Sequence, residues 1–365
     1  MIKICSPQLG LSPISQLGGE VHDFNLIEAL SKRGVMFDVL LPRNRKYKKN
    51  RNLNVTYLPF TKIYPPHVFN LVALPYIIKS YKKGFDFLRL HNPYYLGLAG
   101  LIIKKLFPSV KIVTAIHLKE ERRDLDFIFK KTNFIYEHIF TVSDYLKKWL
   151  VKKYKINPSK VSVIYNGVTG LKPQKKDAKL ISKYGLKDKT VFLSVGLLNN
   201  RKNPLFLVKV FKQLSLRYAN LILFFCGSGP LLSKLKEQIK SKKLSKKIYI
   251  LKPEFGNEKN KIFNLADIFL FPSLEEGFGL VVAEAMMCGK VVVASNNSSL
   301  PEIVDDGRNG FLVETNNQKA WINKINILIE NPLLLKNMQK NALKKAKRFY
   351  NWNLVAEKVL KVLRA

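Results

Sequence analysis

One stretch constrains the fold of this chain more than any other: residues 268–284, which read IFLFPSLEEGFGLVVAE. A short apolar strand, Ile268 to Phe271, is followed by a Pro-Ser break, two acids and the turn Gly277-Phe278-Gly279. A helix is then predicted to begin at about Leu280 and to end near Gly289. A strand, a glycine turn and a helix start bring free backbone N–H groups to one point, which predicts an anion- or sugar-binding site.

Two carboxylates bracket this turn. Glu276 directly precedes it, and Glu284 lies in the predicted helix. Carboxylates accept hydrogen bonds from hydroxyl groups, so two of them suit a ligand with many hydroxyls. A capped helix start with solvated acids would explain a lone glycine pattern, but it does not require this whole block.

The block EGFGLVVAEAM resembles the signature of the retaining, nucleotide-sugar-dependent glycosyltransferases of family 4, which have the GT-B fold. The similarity continues as SSLPEIVDDGRNGFLV at 298–313. The resemblance implies that Glu276 acts on the donor sugar and that Glu284 binds the ribose of the nucleotide. It also implies that the donor is held by backbone groups of Gly277, Phe278, Gly279 and Leu280.

Length and alternation predict two domains. The chain has 365 residues, 47% of them hydrophobic, which suits two cores better than one. Strand patterns alternate with helix patterns, which indicates parallel sheets. The predicted strands are 2–6, 35–41, 86–90, 111–116, 139–143 and 161–166 in the first half, and 191–195, 221–226, 248–251, 268–271 and 291–294 in the second. We expect an α/β protein of GT-B architecture, with two Rossmann-like doubly wound domains facing a cleft. The acceptor-side domain would span 1–170 and the donor domain 171–348, with 349–365 as a helix that crosses back to the first domain. The donor domain would begin with an interdomain linker, LKPQKKDAK, at 171–179.

Other sequence features predict a cytoplasmic protein. No segment approaches the roughly 20 apolar residues of a spanning helix, and the first ten residues, MIKICSPQLG, do not have the pattern of a signal peptide. Cys5, Cys226 and Cys288 are far apart, with neither metal spacing nor a disulfide framework, which fits a reducing compartment.

The net charge of +37 is unusual and is spread over the chain. Residues 1–170 hold 28 basic and 11 acidic residues, and residues 171–365 hold 35 and 15, so both halves are strongly basic. A nucleic-acid binder often concentrates its charge on one face or tail, so we expect no nucleic acid as partner. Two explanations of this excess of basic residues remain open: attraction to anionic lipid surfaces, and a bias in the amino-acid composition.

Two features of the first half are candidates for the site. Gly18 and Gly19 stand between the first predicted strand and the first predicted helix, where glycine lets a ligand approach the backbone. His117 ends the strand predicted at 111–116, and such a position faces the ligand crevice of a doubly wound sheet. Alone, the two glycines would equally fit a plain turn, and a lone histidine would usually be structural. The resemblance implies donor binding by the two glycines and a catalytic role for His117 near the donor sugar.

We predict no metal cofactor. Asp124-Leu125-Asp126 matches the DxD metal motif of the other major glycosyltransferase fold, but that motif needs an apolar strand before it. Here charged residues, 120–123, precede it, which predicts a helix start with a solvated face.

The donor domain carries further glycine turns and two cations. The resemblance implies donor binding by Gly196, Gly227 and Gly229, and neutralisation of the donor diphosphate by Lys202. Family members usually have Arg directly after the first of these glycines. Leu197 stands there instead, and Arg201 is the candidate to replace the missing cation. Thr169 is a second departure, because Asp is common after the preceding Asn-Gly-Val.

A basic, apolar segment of the first half is a candidate membrane surface. Residues 68–83 read as a helix with an apolar body and a basic end, Lys79, Lys82 and Lys83, although Pro75 can split it. A second basic run, Arg43 to Arg51, follows a strand. Two interpretations of residues 68–83 are open. The segment is either an amphipathic helix that lies on an anionic bilayer, or a helix that packs on the sheet and leaves its lysines in solvent.

Together these observations predict a retaining glycosyltransferase of the hexosyltransferase type that acts in glycan biosynthesis. Its partners would be a nucleotide sugar and an acceptor glycan or lipid-linked sugar, with an anionic membrane surface as one further candidate. No cofactor is expected, because the nucleotide sugar is the substrate. The predicted catalytic residues are His117, Glu276, Lys202 and Arg201. The alternatives are a catalytically inactive binding module and a sugar-nucleotide epimerase or phosphorylase of the same fold.

Overall fold

The computed structural model describes residues 1–12, 15, 18–43, 47, 51–59 and 66–365, without the side chains of Pro66, His67, Phe69 and Asn70. The chain forms two compact units. The first comprises Met1–Gly167 and Trp352–Ala365, and the second comprises Val168–Asn351. Each unit is built around one parallel sheet.

The first unit has a seven-stranded sheet in the order β3-β2-β1-β4-β5-β6-β7. Its strands are β1 Lys3–Pro7, β2 Met36–Pro42, β3 Leu53–Leu58, β4 Phe87–Leu90, β5 Lys111–Ile116, β6 Tyr136–Thr141 and β7 Val161–Val163. Its helices are α1 Gly18–Ser31, α2 Pro66–Lys82, α3 Pro93–Leu106, α4 Arg123–Thr132, α5 Asp144–Tyr154 and the terminal helix Trp352–Arg364, with 3-10 turns at Asn133–Ile135 and Pro158–Lys160.

The second unit has a six-stranded sheet in the order β10-β9-β8-β11-β12-β13. Its strands are β8 Thr190–Val195, β9 Leu221–Cys226, β10 Ile248–Leu251, β11 Ile268–Phe271, β12 Val291–Ser295 and β13 Gly310–Val313. Its helices are α6 Ala178–Tyr184, α7 Pro204–Arg217, α8 Leu232–Ser241, α9 Gly256–Leu265, α10 Leu280–Met287, α11 Leu300–Ile303, α12 Gln318–Glu330 and α13 Pro332–Phe349, with a 3-10 turn at Asn200–Lys202. The terminal helix is therefore α14.

Both sheets are buried by helices, which is why their strands are nearly continuous apolar runs. In the first unit, Val39 and Leu41 pack with Leu26 of α1 and with Val355 and Val359 of α14. In the second, the strands pack on α7 and α12, whose Trp321 is fully buried. Burying a side chain of this size contributes roughly 1.5–3 kcal/mol. In each sheet the strand order reverses once, at β1/β4 and at β8/β11, where open parallel sheets bind ligands beyond the carboxyl ends of their strands.

The predicted strands agree closely with the observed ones, and the prediction of two domains, each built on a parallel sheet, is confirmed. Strands β5, β9, β10 and β11 have the predicted bounds. The prediction missed β3 and β13, and it placed β6 at 139–143, two to three residues too late. The predicted strand at 161–166 ends at Val163. The terminal helix begins at Trp352, because α13 runs through Phe349.

Helix α2 runs without a break through Pro75. Proline removes the hydrogen bond to the carbonyl four residues earlier, here that of Leu71. Leu71 and Pro75 both face solvent, so water can satisfy that carbonyl. The basic run from Arg43 to Arg51 lies largely outside the described residues.

The segment after Leu171, which the sequence indicates as a linker, binds to α9 through its backbone. The amide of Lys172 donates to Asn260 Oδ1, and the amide of Gln174 donates to Asn264 Oδ1, each over 3.0 Å. Asn264 Nδ2 donates in return to the carbonyl of Lys172 over 3.0 Å. Two asparagines one helical turn apart thus hold this extended segment much as a neighbouring strand would.

Among the described residues, none of the helices combines the length and the apolar character that crossing a bilayer requires.

Candidate functional site

Glu276 is the centre of a charged cluster in the second unit. It follows β11, and its carboxylate is largely buried. Lys202 Nζ donates to Glu276 Oε1 over 2.5 Å, and Arg201 Nη1 lies 3.2 Å from the same oxygen. Ser273 Oγ also donates to this oxygen, over 2.5 Å. One carboxylate oxygen therefore meets two cations and a hydroxyl.

The opposite charges of Glu276 and its two basic neighbours stabilise one another in the charged form. Burial acts to raise the pKa of Glu276, but the neighbouring Lys202 and Arg201 outweigh it and lower that pKa below its usual value. Burial lowers the pKa of Lys202, while Glu276 counteracts this. Removing Glu276 would leave Lys202 without its opposite charge, whereas removing Lys202 would still leave Arg201 beside the carboxylate.

The two cations come from the 3-10 turn that follows β8. Asn199 Oδ1 accepts from the Lys202 amide over 3.0 Å and so fixes the start of the turn. Arg201 Nη1 also donates to the carbonyl of Glu275 over 2.8 Å. Adjacent residues need not point the same way, yet here Arg201 and Lys202 reach the same carboxylate. Leu197 contributes no charge to the cluster.

The glycine turn after Glu276 is fixed by the block at 298–300. Ser299 Oγ donates to the carbonyls of Glu276 and Phe278, and Ser298 Oγ accepts from the Glu276 amide. Gly279 has a φ of +94°, and a Cβ there would lie 3.0 Å from Leu300 Cδ2, so the position requires glycine. Because the Phe278 side chain is buried, backbone groups of the turn are what a ligand can use.

Glu284 lies one turn into α10, which begins at Leu280. Lys259 Nζ donates to Glu284 Oε1 over 2.5 Å. Glu284 Oε2 is buried and has no hydrogen-bond partner among the described residues. Buried polar atoms are nearly always hydrogen-bonded, so an unpaired carboxylate oxygen is an open acceptor for a ligand hydroxyl.

The other predicted glycines of this unit lie in the turns after β8 and β9. A Cβ at Gly227 would lie 1.9 Å from the carbonyl oxygen of Gly196, so these two turns are in direct backbone contact. Gly229 packs in the same way on Leu198. The structure therefore explains these glycines by the packing of one turn on the other, next to the turn that carries Lys202.

The first unit contains a second charged cluster, centred on Asp23 of α1. Asp23 is fully buried. Arg89, from the middle of β4, donates to both of its oxygens, over 2.5 and 2.7 Å. His91 Nδ1 lies 2.6 Å from Oδ2, and Gln8 Nε2 donates to the same oxygen over 3.0 Å. Burial acts to raise the pKa of Asp23, but Arg89 and His91 hold it well below its usual value.

His117, the predicted catalytic residue of this unit, lies beside that cluster. Its Nε2 is 3.7 Å from Asp23 Oδ1, and the ring of His22 packs edge-on against it with centroids 4.5 Å apart. Burial lowers the pKa of His117 well below its usual value and that of His22 to about 4, so both rings are neutral at pH 7. Gly19 lies against the rings of His117 and His91, whereas Gly18 faces open space.

Sequence reasoning missed Asp23, His22, Arg89 and His91. The available signal was Arg89, because a charged residue inside the buried strand FLRL needs an opposite charge nearby.

The donor atoms of His22, Asp23 and His117 lie within 4.8 Å of one another, a spacing that a metal ion could use. Both oxygens of Asp23 already accept from the Arg89 guanidinium, however, so a cation bound there would sit beside a buried positive charge. We therefore assign no metal to this cluster. Asp124 and Asp126 begin α4 as predicted, and they pair with Arg122 and Lys153 respectively.

Two family models match the chain. The model described as Glycosyl transferases group 1 matches residues 176–345, and the model described as Glycosyltransferase Family 4 matches residues 18–169.

Individual proteins agree with these matches. A diphospho-undecaprenol 4-alpha-N-acetylgalactosaminyltransferase of Campylobacter jejuni is 26% identical over 298 residues, 77% of this chain and 79% of the relative. An Escherichia coli UDP-Gal:alpha-D-GlcNAc-diphosphoundecaprenol alpha-1,3-galactosyltransferase is 26% identical over 77% of this chain and 75% of its own length.

Among solved structures, Anabaena HepE in complex with UDP and glucose covers 100% of both chains, with a TM-score of 0.84 and 19% identity. Sucrose-phosphate synthase of Thermosynechococcus elongatus also has a TM-score of 0.84, with 18% identity over 100% of this chain and 98% of its own. At such identities these structures show the shared fold.

Proposed function

Because the chain belongs to the family-4 glycosyltransferases of GT-B fold, we propose that it transfers a sugar from a nucleoside-diphosphate sugar to an acceptor hydroxyl, with retention at the anomeric carbon. One observation carries the proposal: Lys202, Arg201 and the turn Gly277–Gly279 surround a buried carboxylate next to the start of a helix. A site of this kind offers cations and backbone amides for a diphosphate and a carboxylate for sugar hydroxyls.

In the proposed reaction, the bond from the anomeric carbon to the diphosphate oxygen breaks, and the diphosphate leaves with the electron pair. The acceptor oxygen forms the new bond on the same face, and its proton passes to the departing phosphate. Negative charge thus grows on the diphosphate in the transition state. Lys202 and Arg201 would stabilise it, and the N-terminal amides of α10 would add to the effect.

The donor is proposed to carry a uridine nucleotide. The name of the E. coli relative specifies UDP-Gal, and HepE was solved with UDP, so UDP-sugars are the first donors to test. The free Oε2 of Glu284 would accept from a ribose hydroxyl. Accordingly, Glu284→Gln should mainly raise KM for the donor, whereas Glu276→Gln should mainly lower kcat.

The proposed acceptor is a lipid-linked sugar, because the names of both relatives specify diphospho-undecaprenol acceptors. Helix α2 is the proposed contact with an anionic membrane. Leu71 is 65% exposed, and Lys79 and Lys82 are also exposed. Ala73 and Ile77 are instead buried against the unit, so only part of the apolar body could reach a bilayer.

Co-sedimentation with vesicles tests the membrane proposal. Anionic vesicles should bind the protein more than neutral ones, and less at high salt, since each basic residue near such a surface contributes about 1 kcal/mol. Replacing Lys79, Lys82 and Lys83 by Glu should weaken this binding. If that variant sediments like the wild type, helix α2 is not the membrane contact.

Turnover with a panel of nucleotide sugars tests the transferase proposal. Slow donor hydrolysis or transfer should appear with one nucleotide and should be abolished by Glu276→Ala. Glu258→Gln, an exposed acid on α9, is the matched control and should retain activity. Release of nucleotide distinguishes transfer from epimerisation, which keeps the donor intact.

Binding without any turnover would favour the inactive module, for which Leu197 in place of the usual Arg is the specific observation. A thermal-shift screen with UDP, GDP and ADP measures nucleotide binding independently of turnover. A ligand at about 100 times its Kd stabilises by roughly 2.7 kcal/mol. If no nucleotide shifts the melting temperature, the donor assignment fails as well.

A further inference from the structure

The second unit carries two turns that are unusually rich in lysine. Residues 183–189, KYGLKDK, lead from the end of α6 into β8, and residues 240–247, KSKKLSKK, lead from the end of α8 into β10. Lysine occupies three of the seven positions in the first turn and five of the eight in the second, whereas Lys and Arg together make up 63 of the 365 residues of the chain. The positive charge is therefore concentrated here well beyond the average of the sequence.

The topology of the sheet brings these two turns together. Strand β9 pairs with β8 on one side and with β10 on the other, and all three are parallel, so the turns before β8 and β10 lie at the same end of the sheet. The amide of Thr190 donates to the carbonyl of Asn220 over 3.0 Å, and the amide of Leu223 donates to the carbonyl of Lys247 over 2.9 Å. Both turns are thus fixed to the start of β9.

This end of the sheet is opposite to the carboxyl ends of the strands, which lead into the glycine turns and Glu276. It is therefore separate from the candidate site. The lysines of the two turns are named here the lysine edge, which comprises Lys183, Lys187, Lys189, Lys240, Lys242, Lys243, Lys246 and Lys247.

The charge of the lysine edge is not balanced by acids. Its members are exposed or half-buried, and in the part of the chain that the structure describes none of them pairs with a carboxylate. Asp188 is the one acid in the sequence of the two turns. Crowded charges of one sign create a strong local potential, which attracts anionic partners.

The side chains between the lysines indicate which kind of anion fits. Leu186 and Leu244, the leucines of the two turns, are buried, so they offer no apolar anchor. The rings of Tyr184 and Tyr249 lie 5.0 Å apart, and both also pack on Phe224. These aromatic rings are therefore engaged with one another, whereas proteins that bind single-stranded nucleic acid offer free rings on which bases stack.

The choice of lysine points in the same direction. The planar guanidinium of arginine suits the recognition of individual phosphates and bases, whereas lysine is a compact, strongly hydrated charge on a flexible stem. All basic residues of the two turns are lysine. A set of flexible point charges suits a broad field of lipid phosphates better than a nucleic acid of defined shape.

We propose that the lysine edge binds the headgroups of an anionic bilayer through charge alone. Clusters of roughly 4–8 basic residues are of the size that such surfaces attract. This contact lies in the second unit and is additional to the one proposed for helix α2, where the exposed Leu71 supplies an apolar part. It depends neither on α2 nor on the transfer reaction.

Partition of the full-length protein onto vesicles of phosphatidylglycerol and phosphatidylcholine tests the lysine edge. The edge variant removes the charges next to β8 and β10 by the changes Lys187→Gln, Lys189→Gln, Lys246→Gln and Lys247→Gln. The control variant has the same net charge but loses four exposed lysines of α13, by the changes Lys336→Gln, Lys340→Gln, Lys344→Gln and Lys347→Gln.

The edge variant should bind these vesicles about 100-fold or more weakly than the wild type, because each lysine near an anionic bilayer strengthens binding about fivefold. The control variant should lose less than about fivefold. Equal losses in the two variants would show that only the net charge of the protein matters, and they would overturn the proposal. An edge variant that binds like the wild type would overturn it as well.

Salt and nucleic acid supply two further criteria. At about 1 M NaCl, where the Debye length is about 3 Å, the two variants should bind equally, since the lysine edge has no apolar anchor. A difference that persists at this salt contradicts binding through charge alone. If single-stranded RNA binds the wild type more tightly than the vesicles do, and only the edge variant loses that binding, the lipid assignment is overturned in favour of nucleic acid.

The result is independent of turnover. If no sugar nucleotide is consumed, the proposed function fails while the vesicle comparison keeps its meaning. If the edge variant and the control variant bind vesicles equally, the lysine edge is not a membrane contact, and the transferase proposal stands unchanged.

Discussion

Each unit holds a buried carboxylate with cationic partners near the point where its strand order reverses. These two acids, Asp23 and Glu276, differ in where their cations come from. Asp23 receives Arg89 from the middle of β4, and the arginine side chain is only 4% exposed. Glu276 receives Lys202 and Arg201 from a short turn beyond β8, and these side chains are 15% and 31% exposed. In both cases the neighbouring cations lower the pKa of the acid against the effect of burial.

This difference shows that one kind of ion pair can serve two purposes, holding the fold together or offering its cations to a ligand. A guanidinium inside a strand cannot leave its partner without unfolding the sheet, so the Asp23 pair is a permanent part of the fold. Cations on a partly exposed turn can exchange a carboxylate for a phosphate when a ligand arrives. We therefore expect changes in the first pair to appear in stability and changes in the second to appear in activity.

The largest effect is expected from breaking the permanent pair. Arg89→Met leaves Asp23 buried without a cation, which should lower the free energy of unfolding by about 3–5 kcal/mol. Chemical denaturation of the purified variant measures it. Arg122→Met, which breaks the exposed pair with Asp124, is the control and should change stability little. Equal losses in the two variants would remove the distinction between the units.

The exchangeable pair should show its effect in turnover. Charge-assisted contacts to phosphate contribute roughly 1.5–3 kcal/mol, so Lys202→Ala should lower kcat/KM by about 10- to 150-fold. Arg201→Ala should cost less, because Arg201 is more exposed and is shared with the carbonyl of Glu275. Steady-state kinetics with the active donor measure both, with exposed Lys209→Ala as the control. The reverse ranking would make Arg201 the principal cation of the site.

A smaller effect is expected from the turn beside Glu276. Gly279→Ala places a side chain at a φ of +94° and against Leu300, which should cost about 1–2 kcal/mol of stability. Thermal unfolding measures this loss. Gly307→Ala provides the control, because Gly307 also has a positive φ but no atom near its would-be Cβ. A loss at Gly279 no larger than at Gly307 would show that contact with Leu300 does not constrain the turn.

The smallest effect is expected from restoring the residue that the family usually has after Gly196. Because Arg201 already reaches Glu276 over 3.2 Å, Leu197→Arg should change kcat/KM by less than about tenfold. The same change in an Arg201→Ala background should have a larger effect. A large gain in the otherwise unchanged protein would mean that Arg201 does not replace the missing cation.

The two sites differ in how far the sequence alone could predict them. Glu276, Lys202 and the glycine turn lie in a block that resembles a known signature, although their convergence on one oxygen appears only in three dimensions. Asp23 lies in α1, where an acid reads as part of a solvated helix face. Its partner Arg89 is 66 residues away in the chain, and no local pattern connects two residues at such a separation.

The same holds for the fold. The buried strands of the second unit are apolar throughout, so they could be predicted to the residue. Strand β3, LNVTYL, contains Asn54 and Thr56 and lies at the edge of its sheet, where pairing with β2 rather than composition makes it a strand. Strand β13 begins with a glycine and has only four residues, which is too few to show an alternation of apolar and polar residues.

The bound segment after Leu171 has a consequence for proteolysis. Residues 171–179, LKPQKKDAK, contain four lysines and by composition would be an easy target for trypsin. A protease must take several residues of free, extended backbone into its active site, but the amides of Lys172 and Gln174 are held by α9, and Lys176 pairs with Asp267 over 2.7 Å. We therefore expect trypsin to cleave this segment only after its hydrogen bonds to α9 have broken. The time course of the digest would then report the local opening of that helix rather than the number of lysines.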